Sequence, residues 1–379
     1  MTERLALLLR QEADTLDVPT APADAILSRG RRVQRRRRLV VGATVTAGVV
    51  AVAGLGMNLP DRAHFRPPTD PAVASALNPA GWAVASGSTL SLGNGATVTL
   101  PSKVKSIYYT SAGSVVRTGK ASYTDGSDSS YALVTDDGEV HSLGLQLGDR
   151  APSSDPTLPY LAYAEKRGVV GHGDWTVVLR DVRTGDVAAT IPIDGAFSWG
   201  GWEAPPVALD GDHVYVGLDD ATLEVNWRTG EVEDAAHLPS SRFPGVTAGH
   251  EVLEDQRGNP SAVIDVATGD RVVSDLPAGP AGASLSPDGR YALLIPWSTC
   301  NDDYVCVYDD PASQVVDLSD AASTKLDIGD QAGWTPDGRV IRVTDGAVDL
   351  CSPATGDCTS TGISLGDGPV KVGGNSYES

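Results

Sequence analysis

Hydrophobic and polar residues alternate in short runs through most of the chain, from Trp82 to its end. Glycine, aspartate and proline interrupt these runs at close intervals, and the 3.6-residue period of an amphipathic helix is absent. Alternation with a period of two, bounded by turn residues, is typical of half-buried β-strands. The pattern therefore predicts an all-β domain over residues 81–375.

One unit recurs along this domain: a strand, a turn that ends in glycine, and a second strand. Clear copies centre on Gly185, Gly230, Gly269 and Gly356, and looser copies on Gly95, on Gly138 and near Pro311. Successive copies are 39–47 residues apart. A four-stranded propeller blade takes about 40–45 residues, so the seven copies predict a seven-bladed β-propeller with four-stranded blades.

A second marker is a Pro-Asp-Gly turn at Ser286–Gly289 and Thr335–Gly338, with a weaker copy at Ala208–Gly211. "SPDGRY" resembles the repeats of WD40 and TolB-like propellers, and "D-x-x-T-G-D/E-x-V" resembles those of PQQ-like propellers. The resemblance covers about residues 80–375 and implies the fold. The units lack the closing Trp of PQQ-like repeats and the Trp-Asp dipeptide of WD40 repeats, so no quinone cofactor is implied and we predict none.

The two ends of the repeat region predict how the ring closes. The first unit begins at Trp82 and has only three strands, whereas residues 368–373 add an extra strand after the seventh unit. We expect this last strand to become the innermost strand of the first blade, because joining the ends leaves no open sheet edge at that point.

A charge-free segment of 21 residues, 39–59, precedes the domain. As a helix it would span roughly 30 Å, the thickness of a bilayer core. Six arginines directly before it predict that the N-terminus stays in the cytoplasm: Arg31, Arg32, Arg35, Arg36, Arg37 and Arg38. An alternative is a cleaved signal peptide with a cleavage site at Ala51–Ala53.

The sequence thus predicts a single-pass protein of the cell membrane. A basic cytoplasmic tail with a short helix occupies residues 1–38, a transmembrane helix 39–59, a proline-rich linker 60–80, and an extracytoplasmic propeller the remainder. Residues 61–379 carry 20 basic and 44 acidic residues, a net charge of −24. Such a domain repels nucleic acid, so we predict no nucleic-acid partner.

The four cysteines form two close pairs, Cys300 with Cys306 and Cys351 with Cys358. Close pairs in an oxidising compartment are typical of disulfides, and each would close a loop of about seven residues worth roughly 2 kcal/mol. A four-cysteine zinc site is the alternative, although it favours tighter spacing.

No arrangement of residues typical of catalysis or of a metal site stands out. The six histidines lack metal-ligand spacing, and the hydrolase, zincin and P-loop motifs are absent. A calcium cluster of Asp125, Asp128, Asp302 and Asp303 is an alternative without the spacing of a known calcium loop. We therefore predict a protein that is not an enzyme and holds no metal.

A loop with Phe197, Trp199 and Trp202 is the candidate binding surface, for a glycan or a peptide. The alternative is that these aromatic side chains pack between adjacent blades. The leading functional hypothesis is a membrane-anchored module that binds or scaffolds an envelope protein or glycan. Two alternatives remain: a sensor or anti-sigma-like regulator whose tail docks a cytoplasmic partner, and a propeller hydrolase or lyase.

Overall fold

The computed structural model describes residues 81–120, 129–148, 150–167, 174–198, 202–240, 242–277, 281–296, 299–300, 306–307, 313–327 and 331–374. These residues form β-strands β1–β29, and every pairing between them is antiparallel. The tail, the apolar segment and the linker predicted over residues 1–80 lie outside the described residues. Within the described ranges, no helix is long and apolar enough to cross a bilayer.

The first four sheets follow one another along the chain, each with its inner strand given first. Blade 1 contains β29 (Val370–Val372), β1 (Ala83–Ser86), β2 (Thr89–Leu92) and β3 (Thr97–Thr99). Blade 2 contains β4 (Lys103–Thr110), β5 (Gly113–Gly119), β6 (Ser130–Val134) and β7 (Val140–Ser142). Blade 3 contains β8 (Ser153–Ser154), β9 (Tyr160–Lys166), β10 (Asp174–Asp181) and β11 (Val187–Asp194). Blade 4 contains β12 (Val207–Asp210), β13 (His213–Gly217), β14 (Thr222–Asn226) and β15 (Val232–Asp234).

Three further sheets complete the ring. Blade 5 contains β16 (His250–Glu254), β17 (Pro260–Asp265) and β18 (Arg271–Val273). Blade 6 contains β19 (Ala281–Leu285), β20 (Tyr291–Pro296), β23 (Ser313–Asp317) and β24 (Ser323–Leu326). Blade 7 contains β25 (Ala332–Trp334), β26 (Val340–Thr344), β27 (Ala347–Cys351) and β28 (Cys358–Ser364). The described residues therefore form an all-β, seven-bladed propeller.

The predicted ring closure is confirmed. The C-terminal strand β29 pairs with β1 at the inner edge of blade 1, with Lys371 opposite Ala85. The Ser86 hydroxyl donates to the Gly366 carbonyl oxygen at 2.7 Å and accepts from the Gly368 N–H at 3.1 Å. The last strand of the chain thereby completes the first sheet.

The hydrophobic core lies between neighbouring sheets, because each sheet buries both of its faces. Blades 3 and 4 share a cluster that includes the fully buried Trp227, and blades 6 and 7 share one around Trp334. A third cluster joins blades 7, 1 and 2, with Ile341, Val84 and Val104 among its members. Contact between the first and the last blade is therefore made by the core as well as by β29.

The turn between the third and fourth strands explains why the repeat can be read from the sequence. In blade 4 the Gly230 N–H donates to the Asn226 carbonyl oxygen at 2.8 Å, and the Asn226 side chain accepts from the Arg228 N–H at 3.1 Å. Gly230 has a φ of +78°, which favours glycine. An Asx side chain at the start and a glycine four residues later are therefore both required by local geometry.

The sixth unit was placed wrongly by the sequence pattern. Its third and fourth strands, β23 and β24, are joined by a turn that begins at Asp317 and not near Pro311. The left-handed position of that turn holds Ala321, with a φ of +59°, so the glycine signal is missing. A small hairpin of β21 (Thr299–Cys300) and β22 (Cys306–Val307) is inserted between the second and third strands of the blade.

Candidate functional site

Inner segments of six blades surround a cavity of about 280 Å³ near the centre of the ring. Most of its wall comes from β4, β8, β12 and residues 244–247 of blade 5. Leu285 of blade 6 and Gly374, just after β29, complete it. This volume is close to the lower limit for small-molecule pockets, so it suits one small ligand or one long side chain.

Tyr109 fixes the wall of the cavity where blade 2 meets blade 1. Its hydroxyl accepts from the Ala83 N–H at 3.0 Å and lies 3.3 Å from the Ala83 carbonyl oxygen, to which it can donate. Burial raises the pKa of the Tyr109 phenol far above its usual range, so the side chain stays neutral. Tyr109 is therefore a fixed, uncharged part of the lining.

Two aspartates of the lining connect successive blades through backbone N–H groups. Asp155, after β8, accepts from the N–H and the hydroxyl of Thr157, both at 2.7 Å, and from the Gly211 N–H of blade 4 at 2.9 Å. Asp210, at the end of β12, accepts from the N–H groups of Ala248 and Gly249 of blade 5, at 2.7 and 2.8 Å. Each carboxylate thus holds the first turn of the next blade.

The electrostatics of the cavity are dominated by these two carboxylates. Burial raises the pKa of Asp210, the two backbone hydrogen bonds partly oppose this, and the negative charge of Asp155 adds to it. Within the described part of the chain, the lining contains no lysine, arginine or histidine, and neither aspartate forms an ion pair. The cavity therefore presents uncompensated negative charge.

Blade 5 builds its part of the wall without a regular inner strand. Residues 244–247 lie where β12 lies in blade 4, but only Thr247 pairs with the second strand, opposite His250. The Gly245 N–H donates to the carboxylate of Glu251 at 2.7 Å, while Pro244 has no N–H to donate. A side chain from β16 therefore holds this wall segment in place of backbone pairing.

Glu251 is almost fully buried, and its closest cation is Arg242 at 3.9 Å. Burial raises the pKa of Glu251 to about 8, against the opposing effects of Arg242 and of the Gly245 N–H. Arg242 also contacts Glu254 at 3.2 Å and donates to the Val252 carbonyl oxygen at 3.3 Å. Arg242 and Glu251 thus supply hydrogen bonds where blade 5 lacks the backbone pairing of a regular inner strand.

The predicted aromatic loop connects blades 3 and 4, and its described residues are not part of the cavity lining. Phe197 is half-buried and packs edge-on against Trp175, with ring centroids 5.9 Å apart. Trp202 packs against Phe243, with centroids 4.8 Å apart. Trp199 lies outside the described residues. The described residues therefore do not show Phe197, Trp199 and Trp202 as one surface. Binding by this loop stays a prediction.

The cysteines occupy two hairpins. Cys351 and Cys358 form a disulfide that joins β27 to β28, as predicted. Cys300 and Cys306 face each other across β21 and β22, although their side chains lie outside the described residues. The six arginines predicted to determine the membrane topology also lie outside them: Arg31, Arg32, Arg35, Arg36, Arg37 and Arg38.

No metal-binding group is found in the described part of the chain. Groups of three or more histidine, cysteine, aspartate or glutamate side chains that could hold an ion do not occur there. Of the four aspartates considered for calcium, Asp125, Asp128, Asp302 and Asp303, none lies within the described ranges.

Sequence reasoning missed the residues that line the cavity, above all Tyr109, Asp155 and Asp210, and it missed Glu251, which holds the blade 5 wall. One partial signal existed, because Asp210 and Gly211 belong to the weak copy of the Pro-Asp-Gly turn. The remaining residues stand in ordinary strand or turn patterns that do not indicate which end of a strand faces the centre.

Comparisons with known proteins assign the chain to no family. No family model matches the chain, and no curated protein matches it. Among solved structures, apo AztD from Citrobacter koseri is similar at 11% identity with a TM-score of 0.44, over 78% of this chain and 99% of that one. Hydrazine synthase of Kuenenia stuttgartiensis is similar at 15% identity and a TM-score of 0.41, over 65% and 76%. An oligogalacturonate lyase in complex with manganese is similar at 12% and 0.40, over 74% and 82%.

Proposed function

We propose that this chain is a membrane-anchored binding module whose extracytoplasmic propeller takes a ligand or partner of the cell envelope into its central cavity. The observation that carries the proposal is the cavity itself, walled by six blades and lined by the carboxylates of the buried Asp155 and the half-buried Asp210, without a counter-cation in the described residues. A rigid ring that positions such a cavity is suited to selective binding.

Binding is favoured over catalysis by the chemistry of the lining. Ser153, Ser154, Thr157 and Tyr109 supply hydroxyl groups, but the described lining includes no histidine, cysteine or lysine to activate one. The carboxylates of Asp155 and Asp210 are engaged by backbone N–H groups, which fits the positioning of a ligand better than proton transfer. The resemblance of the repeats to WD40, TolB-like and PQQ-like propellers leaves the task open, because those families share one scaffold across many functions.

The membrane part of the proposal rests on residues 31–59, with six arginines followed by 21 uncharged residues. A reporter enzyme that is active only outside the cytoplasm, fused after Ser379 of the full chain, is expected to be active. A fluorescent protein that folds only in the cytoplasm is expected to be dark in the same position. The reverse result would refute the topology.

Partner capture tests the binding site. Full-length protein is cross-linked in intact cells, and the captured envelope components are compared between the wild type and Ser154→Trp, which fills the cavity. We expect the variant to lose the captured component and Ser274→Trp, at an exposed site of blade 5, to keep it. Loss in Trp202→Ala with retention in Ser154→Trp would move the site to the aromatic loop.

A second candidate function is signalling across the membrane. It is favoured by a leucine-bearing face in the tail, with Leu5, Leu8, Leu9 and Leu16 at helical spacing beside the predicted membrane segment. Capture of cytoplasmic proteins on the full chain, compared with a chain whose four leucines are replaced by serine, tests it. Identical captured sets would remove this candidate.

A further inference from the structure

We infer that the central cavity binds an alkylammonium or guanidinium group on an aliphatic stem, either as a free small amine or at the end of a peptide side chain. This inference deepens the proposed function and rests on it, because it names the chemistry of the ligand for the same cavity.

Charge is the first reason. A ligand that enters the cavity meets the carboxylates of Asp155 and Asp210, and the described lining holds no cation that would attract an anion. The charge of His213 acts on Asp210 and lowers its pKa slightly, but His213 does not line the cavity and lies 3.5 Å from Glu224. The surrounding domain adds to the selection, since residues 61–379 carry a net charge of −24.

Hydrogen-bonding capacity is the second reason. An ionised carboxylate offers about four acceptor positions. In Asp210, each oxygen accepts one backbone N–H, which leaves a position on each. In Asp155, one oxygen accepts two donors from Thr157, and among the described residues the other accepts one, the Gly211 N–H. The free positions are acceptors only, so the complementary ligand group is one that donates several hydrogen bonds, such as an ammonium or a guanidinium.

The shape and polarity of the walls are the third reason. Apolar side chains make up much of the remaining lining, with Ile107, Leu209, Val246 and Leu285 contributed by four different blades. Such walls suit a chain of methylene groups and do not suit a compact hydrated ion. A volume of about 280 Å³ accommodates a stem of several carbons with its charged end group.

The burial of Asp210 gives the inference a consequence that can be measured. A cation beside this carboxylate replaces part of the hydration that it loses on folding, and so lowers its raised pKa. Binding of the amine is therefore expected to weaken as the pH falls through the pKa of Asp210, because the protonated acid no longer attracts the cation.

The experiment compares three five-carbon ligands on the full-length protein in nanodiscs, by calorimetric titration at physiological ionic strength. 1,5-Diaminopentane is the cation, pentane-1,5-diol its neutral analogue and glutarate its anionic analogue. We expect only the diamine to bind, and Asp210→Asn to weaken it at least about tenfold. Asp220→Asn, which removes the same charge at an exposed site in blade 4, should leave the affinity unchanged.

A second variant protects the test against a folding defect in Asp210→Asn. Thr247→Lys places a tethered ammonium in the cavity wall, which should abolish binding of the diamine while the melting temperature is retained or raised. A blocked lysine peptide beside the diamine distinguishes the source of the cation. Tighter binding of the peptide indicates a protein partner, and tighter binding of the diamine indicates a free amine.

The possible failures separate the ligand class from the function. Binding of the diol or of glutarate in the cavity would overturn the cationic ligand and leave the binding function intact. Diamine binding that ignores both Asp210→Asn and Thr247→Lys would show attraction to the acidic surface and would also overturn it. No binding of any ligand, together with loss of the captured partner in Ser154→Trp, would overturn only the ligand class. If no ligand binds and Ser154→Trp still captures the partner, both the ligand class and the binding function of the cavity are overturned.

Discussion

Blades 4 and 5 share the same order of strands and turns, yet their inner segments are held in different ways. Both second strands begin with histidine, His213 in blade 4 and His250 in blade 5. The inner strand β12 pairs with β13 over four residues, whereas the corresponding segment of blade 5 pairs only at Thr247. The position after the histidine differs decisively, because it is Val214 in blade 4 and Glu251 in blade 5.

This one position teaches how a buried carboxyl group can take over the role of backbone pairing. Val214 is fully buried in the core between blades 3 and 4, and backbone pairing supplies the hydrogen bonds around it. Glu251 is equally buried, but it accepts the Gly245 N–H and has Arg242 nearby. The glutamate is tolerated because its oxygens have a donor and a cation, which is the condition for a buried carboxylate.

The largest effect on stability is expected when a carboxyl group is introduced at the corresponding position of blade 4, without a hydrogen-bond donor and an arginine beside it. Val214→Glu places a carboxylate in the core of blade 4, where apolar side chains surround it, and should lower the free energy of unfolding by about 3–5 kcal/mol. Val214→Ala is the matched control and should cost about 2 kcal/mol, since it removes only apolar volume. Denaturant titration of the full-length protein measures both. Equal losses would mean that this position accepts a charge without Arg242.

The second-largest effect on stability is expected when Arg242 is replaced. Arg242→Met leaves Glu251 and Glu254 without the arginine that lies 3.9 and 3.2 Å from them, and should cost about 3 kcal/mol. The double variant Arg242→Met with Glu251→Val should recover most of this loss, because the buried carboxyl group that Arg242 offsets is then absent.

A double-mutant cycle in denaturant measures the coupling between the two side chains. Arg183→Met, which breaks the more exposed pair with Asp181, serves as the control and should cost less than about 1 kcal/mol. Additive losses at Arg242 and Glu251 would contradict the view that the arginine compensates the buried glutamate.

The fold follows from local chemistry, and this is why the sequence predicts it. In blades 3 to 7 the turn after the third strand begins with an Asx or serine residue and has a left-handed residue four positions later, so most copies are visible without knowledge of the rest. The prediction failed in blade 6, where Ala321 stands at the left-handed position and the hairpin around Cys300 and Cys306 lengthens the unit.

The candidate site could not be predicted from the sequence, because its residues are distant in the chain and come together only when the blades close into a ring. Tyr109 and Gly374 are far apart in the sequence but share one cavity, and neither stands in a distinctive motif. Glu251 belongs to the short strand His250 to Glu254, in which polar and apolar residues do not alternate, so the sequence gives no sign that the glutamate points inward. Burial of an acidic residue depends on the loop that carries Arg242, and no local rule links the two.

A smaller effect is expected on the pH dependence of stability, and it reports on the ionisation of Glu251. Its pKa is raised from 4.5 to about 8 in the folded protein, so the folded state holds more protons than the unfolded state between these values. The stabilisation from the protonated carboxyl is complete below pH 4.5 and is lost as the pH rises towards 8. Stability should therefore fall with rising pH in this window.

Glu251→Gln should flatten that slope, because the amide does not titrate and still accepts the Gly245 N–H. Denaturation midpoints at several pH values within the window measure it. Asp317→Asn is a control with the opposite sign, since hydrogen bonds from Ser319 lower the pKa of Asp317 and its contribution is lost only in acid. A slope that persists unchanged in Glu251→Gln would show that another group titrates.

The smallest effect on stability is expected from a substitution in the turn that precedes the second strand of a blade. Blade 4 has Gly211 there with a φ of +55°, whereas blade 5 has Ala248 with a φ of +50°. A left-handed alanine costs roughly 1–2 kcal/mol, which is partly offset by the greater entropy of glycine in the unfolded chain. Ala248→Gly should therefore stabilise the protein by about 0.5–1 kcal/mol and raise its melting temperature by about 1–3 °C.

The Ala248 side chain is exposed, so its removal loses little packing, and its backbone N–H can still donate to Asp210. Ala267→Gly provides the matched control in the same blade, at an exposed alanine outside the left-handed region. It should destabilise by a similar amount, because glycine only adds freedom to the unfolded chain. If both substitutions destabilise equally, backbone strain at Ala248 does not distinguish blade 5 from blade 4, and the difference between them reduces to Glu251 and Arg242.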